Sequence, residues 1–152
     1  MKIDPELILR RARGELPPGP WDQEDNRVDF KHAGTACFIK RNHLGVWCGY
    51  VSVAKTHPAY GLDYDAINEK FAFDVHGGLT YTEKCQGELC HVPEPGDPSD
   101  VWWLGFDCGH TFDLTPSMDF LGLPMSEYNV YRDQKYVTEE TKKLAEQVRG
   151  LL

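Results

Sequence analysis

Long apolar runs are missing from this chain. No stretch approaches the roughly 18–20 residues needed to span a bilayer, and the first residues lack the apolar segment of a secretion signal. Both absences lead to the expectation of a cytoplasmic protein without a membrane partner. Positive charge is also scarce. Sixteen Lys and Arg against 24 Asp and Glu leave a net charge of −8, so duplex nucleic acid would meet a repulsive average field. The only basic concentration near the start, Arg10, Arg11 and Arg13, falls in a segment that reads as an amphipathic helix, where a solvated face accounts for it. Internal repeats, low-complexity tracts and composition breaks are absent too, and 152 residues are then expected to form one domain. Cysteine is sparse and odd in number. Cys37, Cys48, Cys85, Cys90 and Cys108, without an export signal, argue for thiols or metal ligands over a disulfide framework.

What the chain does contain is enough apolar material for a core, 41% hydrophobic and 12% aromatic. Asp4-Pro5-Glu6 is a helix start with an N-cap carboxylate and a first-turn proline, and this helix should end by Gly14. A stiff Pro17-Pro18-Gly19-Pro20 connector and a charged loop over 22–26 follow. Thr35-Ala36-Cys37-Phe38-Ile39-Lys40 and Val46-Trp47-Cys48-Gly49-Tyr50-Val51-Ser52-Val53 are rich in β-branched and aromatic residues and predict a hairpin. Alternation puts Trp47, Gly49, Val51 and Val53 on one face and Cys48, Tyr50 and Ser52 on the other; neither face is plainly polar, which predicts a central strand. A short helix is expected over 62–70, strand composition broken by Gly77-Gly78 over 71–83, an exposed proline-bearing loop over 86–99 and an apolar strand over 101–108. After an irregular stretch over 116–124, Val137, Thr141, Leu144, Val148 and Leu151 recur at helical spacing within 133–152. The resulting fold class is α+β. A mostly antiparallel sheet over 28–115 packs against a C-terminal helix over 133–152, with a short N-terminal helix and connector over 1–27.

Two segments concentrate the chemistry. In His76-Gly77-Gly78-Leu79-Thr80-Tyr81, two glycines bare the backbone directly after an imidazole; they form either an anion-binding nest or a simple tight turn. In Trp102-Trp103-Leu104-Gly105-Phe106-Asp107-Cys108-Gly109-His110-Thr111-Phe112-Asp113, an apolar strand runs into a polar cluster, and strict alternation separates Trp102 from Trp103 and Cys108 from Asp107. Three mechanisms suit these residues. Zinc could recruit Cys108 and His110 with Cys85, Cys90 or His91, although the spacings are not those of a zinc knuckle, and no metal ligand set or cofactor is assigned. A catalytic site would use His76, Asp107, Cys108 and His110, with Asp107 or Asp113 orienting an imidazole and the Gly77 and Gly78 amides facing an oxyanion. A binding site for a small polar ligand would draw on His76, Gly77, Gly78, Thr80, Tyr81, Trp103, Asp107, His110 and Asp113, with aromatic rings suited to a base or sugar. Buried packing is the competing role for Cys108 and for the tryptophans. His43 and His57 are expected in solvent.

The strings Cys48-Gly49-Tyr50-Val51, His57-Pro58, Tyr60-Gly61, His76-Gly77-Gly78-Leu79-Thr80-Tyr81, Trp102-Trp103 with Gly105-Phe106-Asp107-Cys108 and His110, and Tyr131-Arg132-Asp133 with Tyr136-Val137 resemble a family of uncharacterised proteins of bacteriophages, prophages and actinobacteria. The resemblance runs from the hairpin to the final helix. Members of that family close the cluster with a histidine, a glycine and an aspartate, where this chain has His110-Thr111-Phe112-Asp113. The resemblance implies a phage accessory protein working in the host cytoplasm, in host takeover or counter-defence, including capture of a nucleotide signal; it carries no mechanism with it. The leading expectation is thus a binder of a polar, nucleotide-like small molecule. The alternatives are a hydrolase or transferase using the Cys/His/Asp cluster and a protein-interaction module. A symmetric homodimer is the assembly expected on base rates.

Overall fold

Five antiparallel strands form one sheet in the order β1-β2-β3-β5-β4. In this computed structural model, residues 19–117 and 128–152 are described. The helix expected near Asp4, with its three arginines, and most of the stretch over 116–124 lie outside them. The strands are β1 (Arg27–His32), β2 (Thr35–Arg41), β3 (Trp47–Ala54), β4 (Tyr81–Lys84) and β5 (Val101–Asp107). Helices α1 (Tyr64–Phe71) and α2 (Gln134–Arg149) accompany them. The α+β class, the hairpin and the C-terminal helix are as the sequence predicts. Strand β1 was hidden by its alternation of charged residues with Val28 and Phe30, and a 3-10 turn at Pro20–Gln23 opens the charged loop.

Each helix carries its own start signal. Asp63 accepts from the Ala66 amide at 2.8 Å and Asp133 from the Tyr136 amide at 2.8 Å, satisfying donors that the first turn leaves unpaired. Helix α2 buries Val137, Thr141, Leu144, Ala145 and Val148 against the sheet, whereas Leu151 lies beyond the helix end and is exposed.

Strict alternation along β3 and β5 divides the core in two. Val51, Val53, Leu104, Phe106 and Cys108 join the stripe of α2, and Phe73, Val75 and Leu79 from the segment after α1 close the same layer. On the opposite face Phe38, Cys48, Tyr50, Val101 and Trp103 form a second cluster, covered by Tyr81, Cys85 and Leu89. The proline-bearing loop is therefore exposed outside and a lid on aromatic rings beneath. Trp103 illustrates the arrangement: its ring is fully buried beside Phe38, with centroids 4.9 Å apart.

Two expectations from the sequence are corrected. His57 is buried, its Nε2 2.8 Å from the Val148 carbonyl and its Nδ1 accepting from the Ala59 amide at 3.0 Å, so it closes the end of α2 and does not lie in solvent. Cys85 and Cys90 form a disulfide, whereas the odd cysteine count pointed to thiols or metal ligands throughout. The short span between them, turned by mutual hydrogen bonds of Gln86 and Leu89, brings their Cα atoms to 4.7 Å. Cys37, Cys48 and Cys108 remain buried thiols.

A buried ionic knot ties the first turn to the last helix. Arg41 donates to Glu24 Oε1 at 2.8 Å, to the Tyr131 hydroxyl at 2.8 Å and to the Gly45 carbonyl at 3.0 Å, and its guanidinium lies 4.4 Å from the Trp47 ring. Burial works against an ionised Glu24, but hydrogen bonds from Tyr131, the Gln134 amide and Arg41 outweigh it and hold that carboxyl below its ordinary range. Glu24 thereby sits at the positive end of α2 and fixes where the helix begins.

Candidate functional site

The two chemistry-bearing segments meet where β5 ends. Residues 74–76 run along α2, bonded to Gln147, Glu140 and Tyr136, and the segment after β5 meets them at Asp113. At the centre is Asp113, whose side chain is 1% exposed. Its Oδ2 lies 2.7 Å from His76 Nε2 and 3.0 Å from the His110 amide, and its Oδ1 accepts from Arg132 Nε at 2.9 Å. Burial opposes the charge on Asp113, yet the donors from His76, Arg132 and the His110 backbone prevail and lower its pKa. An ionised Asp113 can only accept, which puts the proton of His76 on Nε2. In the neutral imidazole His76 Nδ1 accepts from the Tyr136 hydroxyl 2.8 Å away, and Tyr136, His76 and Asp113 form a continuous hydrogen-bonded chain.

The relay is anchored from α2. The His76 amide donates to Glu140 Oε1 at 2.9 Å, and Gln147 brackets Asp74 with two hydrogen bonds at 2.7 and 2.8 Å. Backbone strain accompanies it: Phe112 adopts φ +72°, a left-handed conformation costly for a bulky residue, and its ring is 58% exposed. That kink turns Asp113 inward directly after an outward-facing aromatic ring.

The sequence candidates separate into three groups. His76, His110, Asp107, Thr80 and Asp113 do gather. Asp107 accepts from Thr80 Oγ1 and from the Gly109 amide, both at 2.9 Å, and its Oδ1 lies 3.3 Å from His110 Nε2 without the alignment of a hydrogen bond. Of the two aspartates considered for orienting an imidazole, Asp113 holds His76 and Asp107 flanks His110. Gly77 belongs here for a steric reason. At φ +69°, a Cβ on it would lie 2.2 Å from His110 Nε2, so only glycine lets the two segments touch. Gly78 spends its amide on the Val75 carbonyl at 2.9 Å, which makes it a turn donor in place of the oxyanion donor considered from the sequence. Tyr81 and Trp103 point into the second core cluster and stand apart from the relay.

Cys108 is close in sequence but unsuited to attack. It is buried on the helix face, and desolvation, with Asp113 and Asp107 adding to it, pushes its thiol pKa far above the ordinary value. Cys37 and Cys48, pushed up to about 12 from 9.0, carry a thiolate fraction smaller by roughly a thousandfold at a given pH. Iodoacetamide at pH 8 should therefore leave all three unmodified in the folded protein and label them promptly in urea; prompt labelling of Cys108 in the native state, read by peptide mass, would restore it as a nucleophile candidate. Cys108 and His110 also do not join Cys85, Cys90 and His91, so the mixed zinc site considered from the sequence is not assembled: the latter three are grouped among the described residues without them.

Sequence reasoning missed Arg132, Tyr136 and Glu140 as site residues. Arg132 lies just before the Asp133 N-cap of α2, and Tyr136 and Glu140, four residues apart, share one face of that helix. At the opposite end of the sheet, a cleft of about 180 Å³ is lined by Lys31, Thr35, Ser52, His57, His91 and Arg149 among others. It is smaller than the roughly 300–1,000 Å³ of ordinary ligand pockets, and Thr35, Ser52 and His57 are already hydrogen-bonded.

No protein-family model, no curated protein and no solved structure matches this chain. Among the described residues no helix is long and apolar enough to cross a membrane.

Proposed function

We propose that the His76–Asp113 cluster binds a small, anionic, nucleotide-like molecule. The observation that carries this reading is Arg132. Its Nε is fixed on the buried Asp113 and its guanidinium lies 4.9 Å from the Tyr136 ring, so the group is oriented in advance while its side chain stays 27% exposed. The exposed Phe112 offers a stacking surface, and His110 and Thr80 add polar groups around Asp107. In the setting implied by the resemblance to phage and prophage proteins, such a site would withhold a nucleotide signal in the host cytoplasm.

AMP serves as the probe, followed by NMR of the His110 imidazole and the Phe112 ring. Saturable shifts in both are expected, with Arg132→Ala weakening binding by about 10- to 100-fold, the worth of a hydrogen bond to a charged group. Unmoved resonances, or equal shifts in the variant, would sink the proposal.

The relay itself favours a second reading, proton transfer through Tyr136 to His76 during hydrolysis or group transfer. Tyr136→Phe separates the two. A binder loses at most about tenfold in affinity from one missing hydroxyl, whereas a catalyst using the relay loses turnover with its affinity intact.

A further inference from the structure

Beyond that site, the loop covering the second core holds a group of donors with no assigned role. Strand β4 delivers Cys85, the Gln86–Leu89 turn returns the chain to Cys90, and His91 follows directly. One ring nitrogen of His91 and the two sulfurs lie within 4.8 Å of one another. Two neighbours in this group are better served by a metal than by the disulfide alone. His91 Nδ1 is buried and has no hydrogen-bond partner, an uncompensated cost for a polar atom. Trp103, whose residue is fully buried, spends its only side-chain donor on Cys85 Sγ at 3.2 Å, and a thiolate accepts such a bond far better than a disulfide sulfur. The His91 ring stands edge-on to the same indole at 5.3 Å, so one rigid side chain positions both a sulfur and an imidazole.

We propose that Cys85, Cys90 and His91 form a zinc site in the reduced protein, independent of the reading of the His76 cluster. Two thiolates and an imidazole are the donors that zinc favours, and three protein ligands leave a fourth position for water or an anion. His91 also lines the cleft beside Ser52 and His57, which gives that fourth ligand a way in. Formation requires reduction. A phosphine supplies two electrons and water supplies two protons and the oxygen of the phosphine oxide, converting the disulfide to two thiols; the divalent cation then displaces both thiol protons. The oxidised loop and the metal-bound loop are thus two closed states of one lid over Phe38, Tyr50 and Trp103.

The test uses the full chain, reduced with a phosphine, freed of it and titrated with cobalt(II). Expected are one equivalent bound, a thiolate-to-cobalt charge-transfer band with tetrahedral d–d absorption, and displacement of both by zinc. His91→Gln should weaken binding by at least about tenfold and alter the d–d envelope. The band should vanish in Cys85→Ser/Cys90→Ser and in the oxidised wild-type protein, which serves as the folded control lacking these thiolates. A reduced wild type without the band would overturn the site. So would a band that persists in the double variant, since Cys37, Cys48 and Cys108 would then be the ligands.

Discussion

Replacing Asp113 by Ala should cost this protein about 3–5 kcal/mol of stability, the penalty of removing one member of a buried charged network. The size follows from what would remain. His76 Nε2 and the His110 amide would keep protons with no acceptor, and Arg132 would lose the carboxylate that orients it. The pH dependence has a definite sign. The native-state pKa of Asp113 lies below the ordinary 3.8, so its contribution is complete above the unfolded value and is lost as pH falls through the native one. The gap between wild type and Asp113→Asn in urea unfolding should therefore be constant above about pH 5 and shrink steadily as the solution is acidified below 3.8. A gap that widens on acidification would mean that the carboxyl is protonated in the native protein and that the relay is drawn with the wrong tautomer. Arg132→Gln, at a side chain 27% exposed, should cost far less stability while still weakening AMP binding by about 10- to 100-fold, and this separates architecture from recognition at one carboxylate.

Much of the architecture was legible because local signals agree with the final arrangement. β-Branched and aromatic runs marked β2, β3 and β5, the Asn42 to Gly45 turn joined the hairpin, and the 3.6-residue stripe of α2 named four of its five buried residues. Segment-level reading also named residues that gather, since His76, Asp107, His110 and Asp113 converge. What it could not supply was pairing across distance. Nothing local tells Asp113 from Asp107 as the partner of His76, because the choice rests on the turn at Phe112 and on where β5 stops. Tyr136 comes from a helix sixty residues from His76 and Arg132 from the segment just before that helix, and only tertiary docking brings them to the cluster. Tyr81 and Trp103 lie apart from the other candidates, because alternation gives the face of a strand but not what covers that face. Cys108 was drawn in by its neighbours, although the same alternation already put it on the helix side.

Gly49 is where the alternation and the docking bear on one atom. The residue lies mid-strand in β3, on the face that the sequence pattern assigns to Trp47, Val51 and Val53, and a strand interior ordinarily disfavours glycine. The cause is the approach of α2: a Cβ built on Gly49 would lie 2.2 Å from Thr141 Oγ1 and 2.5 Å from the Phe106 ring. Thr141 cannot swing away cheaply, since its hydroxyl donates to the Val137 carbonyl at 2.7 Å within a fully buried helix face. Phe106 is held from the neighbouring strand, directly opposite Gly49. An added side chain must therefore lift the helix, and the relay is anchored on that helix through Tyr136 and Glu140. Gly49→Ala should destabilise by about 1–3 kcal/mol and Gly49→Val by more, read as thermal midpoints, with AMP affinity falling alongside. Thr141→Ala, harmful alone, should recover part of the Gly49→Ala loss, because it removes the nearer of the two obstacles; a coupling of about 1 kcal/mol is expected in the double-mutant cycle. Simple additivity there would show that the helix does not rest on this contact, and the link from strand spacing to the position of Tyr136 would have to run through Phe106 alone.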